Sequence, residues 1–136
     1  MVEPLSDDEL AFLHAAFDLA RTGDAEQLAA YVDAGLPVNL TTSTGDTLLI
    51  LAAYHDHPHV VRALLARDAD TSRVNDRGQT ALGAAVFRRS EPSVRALLAA
   101  GADPGLGGRT ALDIATFFEL PDMLALLTAP QGDENT

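Results

Sequence analysis

The sequence predicts an all-α solenoid of about four stacked helix-turn-helix units, and three observations carry that prediction. A Gly-x-Thr segment with an apolar run behind it occurs three times: Gly45-Asp46-Thr47-Leu48-Leu49-Ile50-Leu51-Ala52-Ala53, Gly78-Gln79-Thr80-Ala81-Leu82-Gly83-Ala84-Ala85-Val86 and Gly108-Arg109-Thr110-Ala111-Leu112-Asp113-Ile114-Ala115-Thr116. The copies are evenly placed, with 33 residues from Thr47 to Thr80 and 30 from Thr80 to Thr110. Behind each copy lies a second apolar run, at residues 60–65, 94–98 and 124–127. A period near 33 implies units that each contact only their neighbours, an architecture that presents surfaces more readily than enclosed pockets.

The first unit is the faintest copy. Ser6 and Glu9 form a capping-box pattern, and Leu10, Leu13, Phe17 and Ala20 share one helical face, so a helix is expected over about residues 7–21. Gly23-Asp24 breaks it. Asp24 and Gln27 then cap a second helix holding Leu28, Tyr31 and Val32, which ends near Gly35. In the other three units Thr47, Thr80 and Thr110 stand where a side-chain oxygen can accept from free N–H groups, and Asp113 reinforces the last of these caps. The first helices are expected to run through about Tyr54, Phe87 and Phe117. The second helices start near Pro58, Pro92 and Pro121, since proline suits a first helical turn. Ser90 also reads as a cap.

Gly101-Ala102-Asp103 ends the third unit with a residue suited to positive φ, and Asp68-Ala69-Asp70 is its degraded counterpart. Gly35 to Gly45 spans 10 residues, as does Asp68 to Gly78, whereas Gly101 to Gly108 spans 7; three residues are missing from the loop before Gly108. The expected divisions are an N-terminal tail at 1–5, one domain at 6–128 with repeats at about 6–41, 42–74, 75–104 and 105–128, and a disordered tail at 129–136. An acidic first helix and a polar last turn suit the two ends of a stack, and four units so capped are expected to make a complete small protein.

The quoted segments resemble the ankyrin repeat. In the second unit Gly45, Thr47, Leu49, Ala52, Ala53, His57, Val60, Val61, Leu64 and Leu65 match that family's pattern, and in the third Gly78, Thr80, Leu82, Ala84, Ala85, Val94, Leu97, Leu98, Gly101, Ala102 and Asp103 do so. The resemblance covers about residues 7–128. It departs from the family at the turn proline, here Leu48, Ala81 and Ala111, and at the turn histidine, here Ile50, Gly83 and Asp113. The resemblance implies L-shaped helical units with β-hairpin-like loops, a turn less tightly hydrogen-bonded than usual, and a concave face that binds proteins without catalysis.

Composition narrows the function classes. The chain carries nine Arg, no Lys and twenty acids, for a net charge of −11. Phosphate backbones are bound by neutralising cations, so neither nucleic acid nor an anionic membrane is an expected partner, whereas a basic protein surface is. No cysteine is present, which removes disulfides, thiol nucleophiles and thiolate zinc sites. The acidic start lacks the charge and apolar run of a secretory signal, and a cytoplasmic protein is expected. No serine has a plausible His and Asp arrangement, and Gly105-Leu106-Gly107-Gly108 lacks the lysine of a phosphate loop. The expected reading is a non-enzyme without cofactors, and a monomer rather than a homodimer; a self-associating structural protein is the alternative.

Candidate contact residues follow from the register that the resemblance implies. The exposed end of the first helix carries Arg21, Tyr54, Phe87 and Phe117 in successive units, with His55, Arg88 and Phe118 beside them. The loop tips carry Asp46, Gln79 and Arg109. Four of the seven aromatics fall at the helix-end positions, and aromatics and Arg dominate binding hot spots. The competing reading has the aromatics merely pack between neighbouring helices. His55, His57 and His59 are weak metal candidates, since zinc needs three or four converging donors and these three are expected to point apart; a pH-sensitive patch is the better use of them.

Overall fold

A computed structural model describes residues 6–130 of the 136-residue chain. The expected N-terminal tail and residues 131–136 of the expected C-terminal tail lie outside the described residues. Eight helices occur among the described residues, in chain order α1 (Asp7–Thr22), α2 (Ala25–Asp33), α3 (Leu48–Tyr54), α4 (Pro58–Leu65), α5 (Ala81–Phe87), α6 (Glu91–Ala99), α7 (Ala111–Phe117) and α8 (Pro121–Thr128). Each odd-numbered helix packs on the even-numbered one that follows it. Across units, α1, α3, α5 and α7 form one layer and α2, α4, α6 and α8 a second. The fold is the all-α solenoid that the repeat predicts.

Local chemistry explains the helix starts. Thr47, Thr80 and Thr110 adopt extended backbone, and their hydroxyls accept from the N–H of Ile50, Gly83 and Asp113, each at 3.0 Å. Asp113 Oδ2 in turn accepts from Thr110 N at 3.2 Å, closing a capping box. Ser6 and Glu9 close another, and Asp24 accepts from Gln27 N at 3.0 Å. Such a cap contributes about 1 kcal/mol. Ser90 departs from expectation. It occupies the N-cap position of α6 but makes no capping bond, and the proline in the first turn, with no N–H to satisfy, reduces the need for one.

The core is continuous along the stack. Six of the seven residues of α3 are buried, and so are six of the seven of α5, because these helices have neighbours on both sides. In α1 only Ala16, Phe17 and Ala20 are buried, and in α8 only Met123 and Leu127, as befits terminal units. Leu10, expected on the apolar face of α1, stands 39% exposed, since that part of the helix overhangs the level at which α3 begins. Units are further tied by His57, whose Nε2–H donates to Arg21 O at 2.7 Å, and by Arg67, which forks onto Asp33 at 2.9 and 3.1 Å. The guanidinium holds the Asp33 carboxyl below its usual range.

The loops are hairpin-like turns with one isolated antiparallel bridge, Thr41 to Thr47. Thr42 N donates to Asp46 O at 2.9 Å and Asn75 N to Gln79 O at 3.0 Å. The third loop, three residues shorter, makes no such closing bond among the described residues. It instead leans on its neighbour, with Arg109 N donating to Gly78 O at 3.3 Å. Gly107 has φ +102°, and a Cβ there would come within 2.8 Å of Gly78 O, so only glycine permits the approach.

The turn between the two helices of a unit demands positive φ. Gly23 supplies it in the first unit at +94°, where a side chain would also strike the His57 ring. The register equivalents are Asp56, Arg89 and Glu119, at φ 61°, 58° and 54°. A left-handed residue with a Cβ is strained by about 1–2 kcal/mol, and Asp tolerates the region better than Arg or Glu. After allowing for the greater unfolded-state entropy of glycine, Arg89→Gly and Glu119→Gly should each raise unfolding free energy by about 0.5–1 kcal/mol. Urea denaturation reads this directly, and a loss of stability in both variants would contradict the assignment of strain to this turn.

Candidate functional site: an aromatic groove beside the loop tips

The first-helix layer leaves one face of α5 and α7 uncovered. At its middle stands Gly83, where the register copies are Ile50 and Asp113. Gly83, Ala84 and Ile114 line a hollow in this face, and the fit at Gly83 is close, since a Cβ there would lie 3.3 Å from Ile114 Cδ1. Tyr54, Phe87, Phe118 and Phe117 line this hollow as a connected series of rings, and Gln79, Arg109 and Asp113 also border it. The groove encloses about 560 Å³, within the range of small-ligand and side-chain-binding clefts.

The aromatic rings touch one another without entering the core. Tyr54 stacks on Phe87 with centroids 6.3 Å apart and planes 3° apart. Phe87 meets Phe118 edge-on at 5.8 Å, and Phe118 meets Phe117 edge-on at 4.9 Å. Tyr54 is 39% exposed, Phe87 47%, Phe118 41% and Phe117 78%. So much exposed ring surface contributes little to folding and remains available for burial by something else.

Of the residues that sequence reasoning singled out, the fold brings Tyr54, Gln79, Phe87, Arg109, Phe117 and Phe118 together around the groove. Others are placed elsewhere. Asp46, expected as an exposed loop tip, is buried: Oδ1 accepts from Asn75 Nδ2 at 2.7 Å and Oδ2 from the Thr44 hydroxyl at 3.0 Å. It is the centre of a polar network that stiffens the second loop against the third, which also answers the expectation of a loosely bonded turn. Arg21 pairs with Asp18 at 2.9 Å and lines a separate cleft of about 440 Å³ with Leu10, Leu13 and Phe17. Arg88 caps the end of α5 and is exposed.

The backbone of the last unit keeps step with the third, with α5 over Ala81–Phe87 and α7 over Ala111–Phe117, but the ring contacts do not follow the register. Phe117 is the counterpart of Phe87 in sequence, yet Phe118 is the ring that meets Phe87. Gly83, Ala84, Asp113 and Ile114 complete the groove without having been anticipated. The sequence signal was Gly83 itself, since glycine in a helix interior costs about 1 kcal/mol relative to Ala and asks for a reason.

The three clustered histidines take three unrelated roles. His57 bonds to the first unit, His59 Nδ1 lies 3.1 Å from an Arg62 guanidinium nitrogen, and His55 meets the Tyr54 ring edge-on at 5.3 Å. Among the described residues no group of His, Asp and Glu is placed to hold a metal ion. Nor is any helix among them long and apolar enough to cross a membrane.

Stacked helical pairs joined by hairpin-like turns, with an open groove at the first-helix ends, define a repeat-type binding scaffold. The family model for ankyrin repeats in three copies matches residues 13–107, and the chain belongs to the ankyrin repeat family. A Pseudomonas aeruginosa protein named for its ankyrin repeats is 49% identical over 51 residues, covering 38% of this chain and 30% of that protein. The mitochondrial disaggregases of Bos taurus and Homo sapiens are each 42% identical over 65 residues, which is 48% of this chain but only 10% and 9% of theirs. The chain thus spans a minor part of the curated relatives it matches. The crystal structure of the human ASB11 ankyrin repeat domain superposes with a TM-score of 0.74 at 25% identity, over 82% of this chain and 52% of that one. Ankyrin repeats are in general protein–protein interaction modules and typically non-catalytic.

Burial, then the charges of Arg21, His57 and Arg88, hold the His55 imidazole below its usual pKa. A group with a depressed folded-state pKa contributes stability above its unfolded value, and that contribution is lost as pH falls through the folded value. Stability should therefore decline as pH drops below about 6.5, the ordinary His value. A His55→Asn variant should show a shallower decline, and a parallel decline in both proteins would assign the effect elsewhere.

Proposed function

We propose that this chain is a noncatalytic protein-binding module whose partner docks on the face formed by the first-helix ends and the loop tips. The observation that carries the reading is the exposed ring series Tyr54, Phe87, Phe118 and Phe117 around a hollow floored by Gly83. Buried aromatic anchors with Arg at the rim are the usual composition of an interface hot spot. Family membership supports the class of function, and the site is our own assignment on this chain. The residues proposed to contact the partner are Tyr54, Gln79, Phe87, Arg109, Phe117 and Phe118, with Arg88 and His55 flanking them. Asp46 is assigned a structural role, and Arg21 lies outside the contact. The module works as a monomer in the cytoplasm.

The double variant Phe87→Ala/Phe118→Ala separates this reading from a packing role. Both rings are about half exposed, so unfolding free energy should fall by no more than about 1–2 kcal/mol in all, while binding of a partner recovered from the source cytosol should weaken by at least about tenfold. A loss of several kcal/mol of stability, with partner affinity unchanged, would assign the rings to stacking instead. A stable dimer of the unaltered chain, dispersed by the same double variant, would favour self-association.

A further inference from the structure

Guanidinium groups without carboxylate partners stand at both ends of the groove. Acids outnumber arginines by twenty to nine, so carboxylate partners are plentiful. Five are paired: Arg21 with Asp18, Arg67 with Asp33, Arg73 with Asp70, Arg77 with Asp46 and Arg95 with Glu91. Arg62 bonds to His59. The guanidinium groups of Arg88, Arg89 and Arg109 have no ion pair or hydrogen bond among the described residues. They stand at the two ends of the groove, Arg109 before the start of α7 and Arg88 and Arg89 after the end of α5. Arg109 borders the groove, and Arg88 and Arg89 directly follow Phe87, its central ring. Arg88 also acts on His55, which abuts Tyr54. The acid in the groove lining, Asp113, is engaged in the Thr110 cap.

We infer that the groove between α5 and α7 docks a segment of a partner protein in which an apolar side chain is flanked by Asp or Glu. The inference rests on the proposed contact face and adds the chemistry of its occupant. The apolar side chain fills the hollow over Gly83 and Ala84, against Phe87 and Phe118. The flanking carboxylates meet Arg109 on the loop side and Arg88 at the helix end, as charge-assisted hydrogen bonds. Net charge favours a basic partner at long range, but exposed charges are screened beyond about 8 Å at physiological ionic strength, so local charge governs contact. Nucleic acid offers the same anionic chemistry, yet it carries charge along its whole length and would lie across the many acids outside this groove.

A displayed library of random dodecapeptides, selected on the whole chain at about 0.15 M salt, tests this. Enriched peptides should place Asp or Glu beside a large apolar residue. Their binding should be lost with Phe87→Ala/Phe118→Ala and should weaken about tenfold or more with Arg88→Glu/Arg109→Glu, the loss expected of two charge-assisted contacts. Arg88→Gln/Arg109→Gln, a milder change at the same exposed sites, should weaken it less, and circular dichroism confirms that each variant is folded. Enrichment of basic or uncharged peptides that still require Phe87 and Phe118 would overturn the charge assignment and leave the contact face standing. Failure to enrich any peptide that requires those rings would overturn both. A single-stranded oligodeoxynucleotide that displaces the selected peptides at lower concentration than they bind would give the rim to phosphate, and would overturn the inference.

Discussion

No unit of this chain can bury its own apolar surface, and the rest of the structure depends on that constraint. Helices of seven to nine residues are too short to hold together unaided, and most of their stability must come from packing. Stacking supplies it. Leu48, Leu49 and Ile50 on α3, and Leu82 and Val86 on α5, are sealed because one first helix lies against the next. The same stacking places the helix ends in a row. The last residue of the first helix is presented to solvent at a fixed spacing, and it is aromatic in three consecutive units, Tyr54, Phe87 and Phe117.

The loops show how the stack tolerates irregularity. In the second and third units the turns are held by their own polar groups, with Asp46, Asn75 and Gln79 joined in one network. The last loop is three residues shorter; Leu112 N donates to Pro104 O across it at 3.3 Å, and Arg109 N ties it to Gly78 O of the preceding loop. Arg109, at the end of that shorter loop, borders the groove, and Phe118, the C-cap residue of α7, is the ring that meets Phe87. Irregularity in the fold and the proposed function therefore meet at the same place. Strain at Arg89 and Glu119 lies at the ends of the same two helices.

Much of the fold was legible in the sequence because its determinants are local. The Thr47, Thr80 and Thr110 caps, the prolines opening α4, α6 and α8, and the helix ends at Tyr54, Phe87 and Phe117 all follow from chemistry within a turn or two. The site was only half legible. Register aligns Phe87 with Phe117, but which ring meets Phe87 depends on side-chain direction at the helix end, where the C-cap residue Phe118 makes the contact. Asp46 looked like a free loop tip, since its partner Asn75 lies 29 residues away. The charge of the rim was hidden by an average: net charge counts every acid equally, while pairing in three dimensions removes Arg67, Arg73 and Arg95 and leaves Arg88, Arg89 and Arg109.

The central claim is that stacking builds a contact face on the first-helix layer between units two and four, and leaves the second-helix layer as support. Backbone amide NMR of the chain, recorded while a captured partner or selected peptide is added, tests it most directly. The account predicts that shift changes cluster at Tyr54, Gln79, Gly83, Phe87, Arg109 and Phe118. Changes confined to α2, α4, α6 and α8, or to the Leu10 and Leu13 overhang of α1, would contradict it.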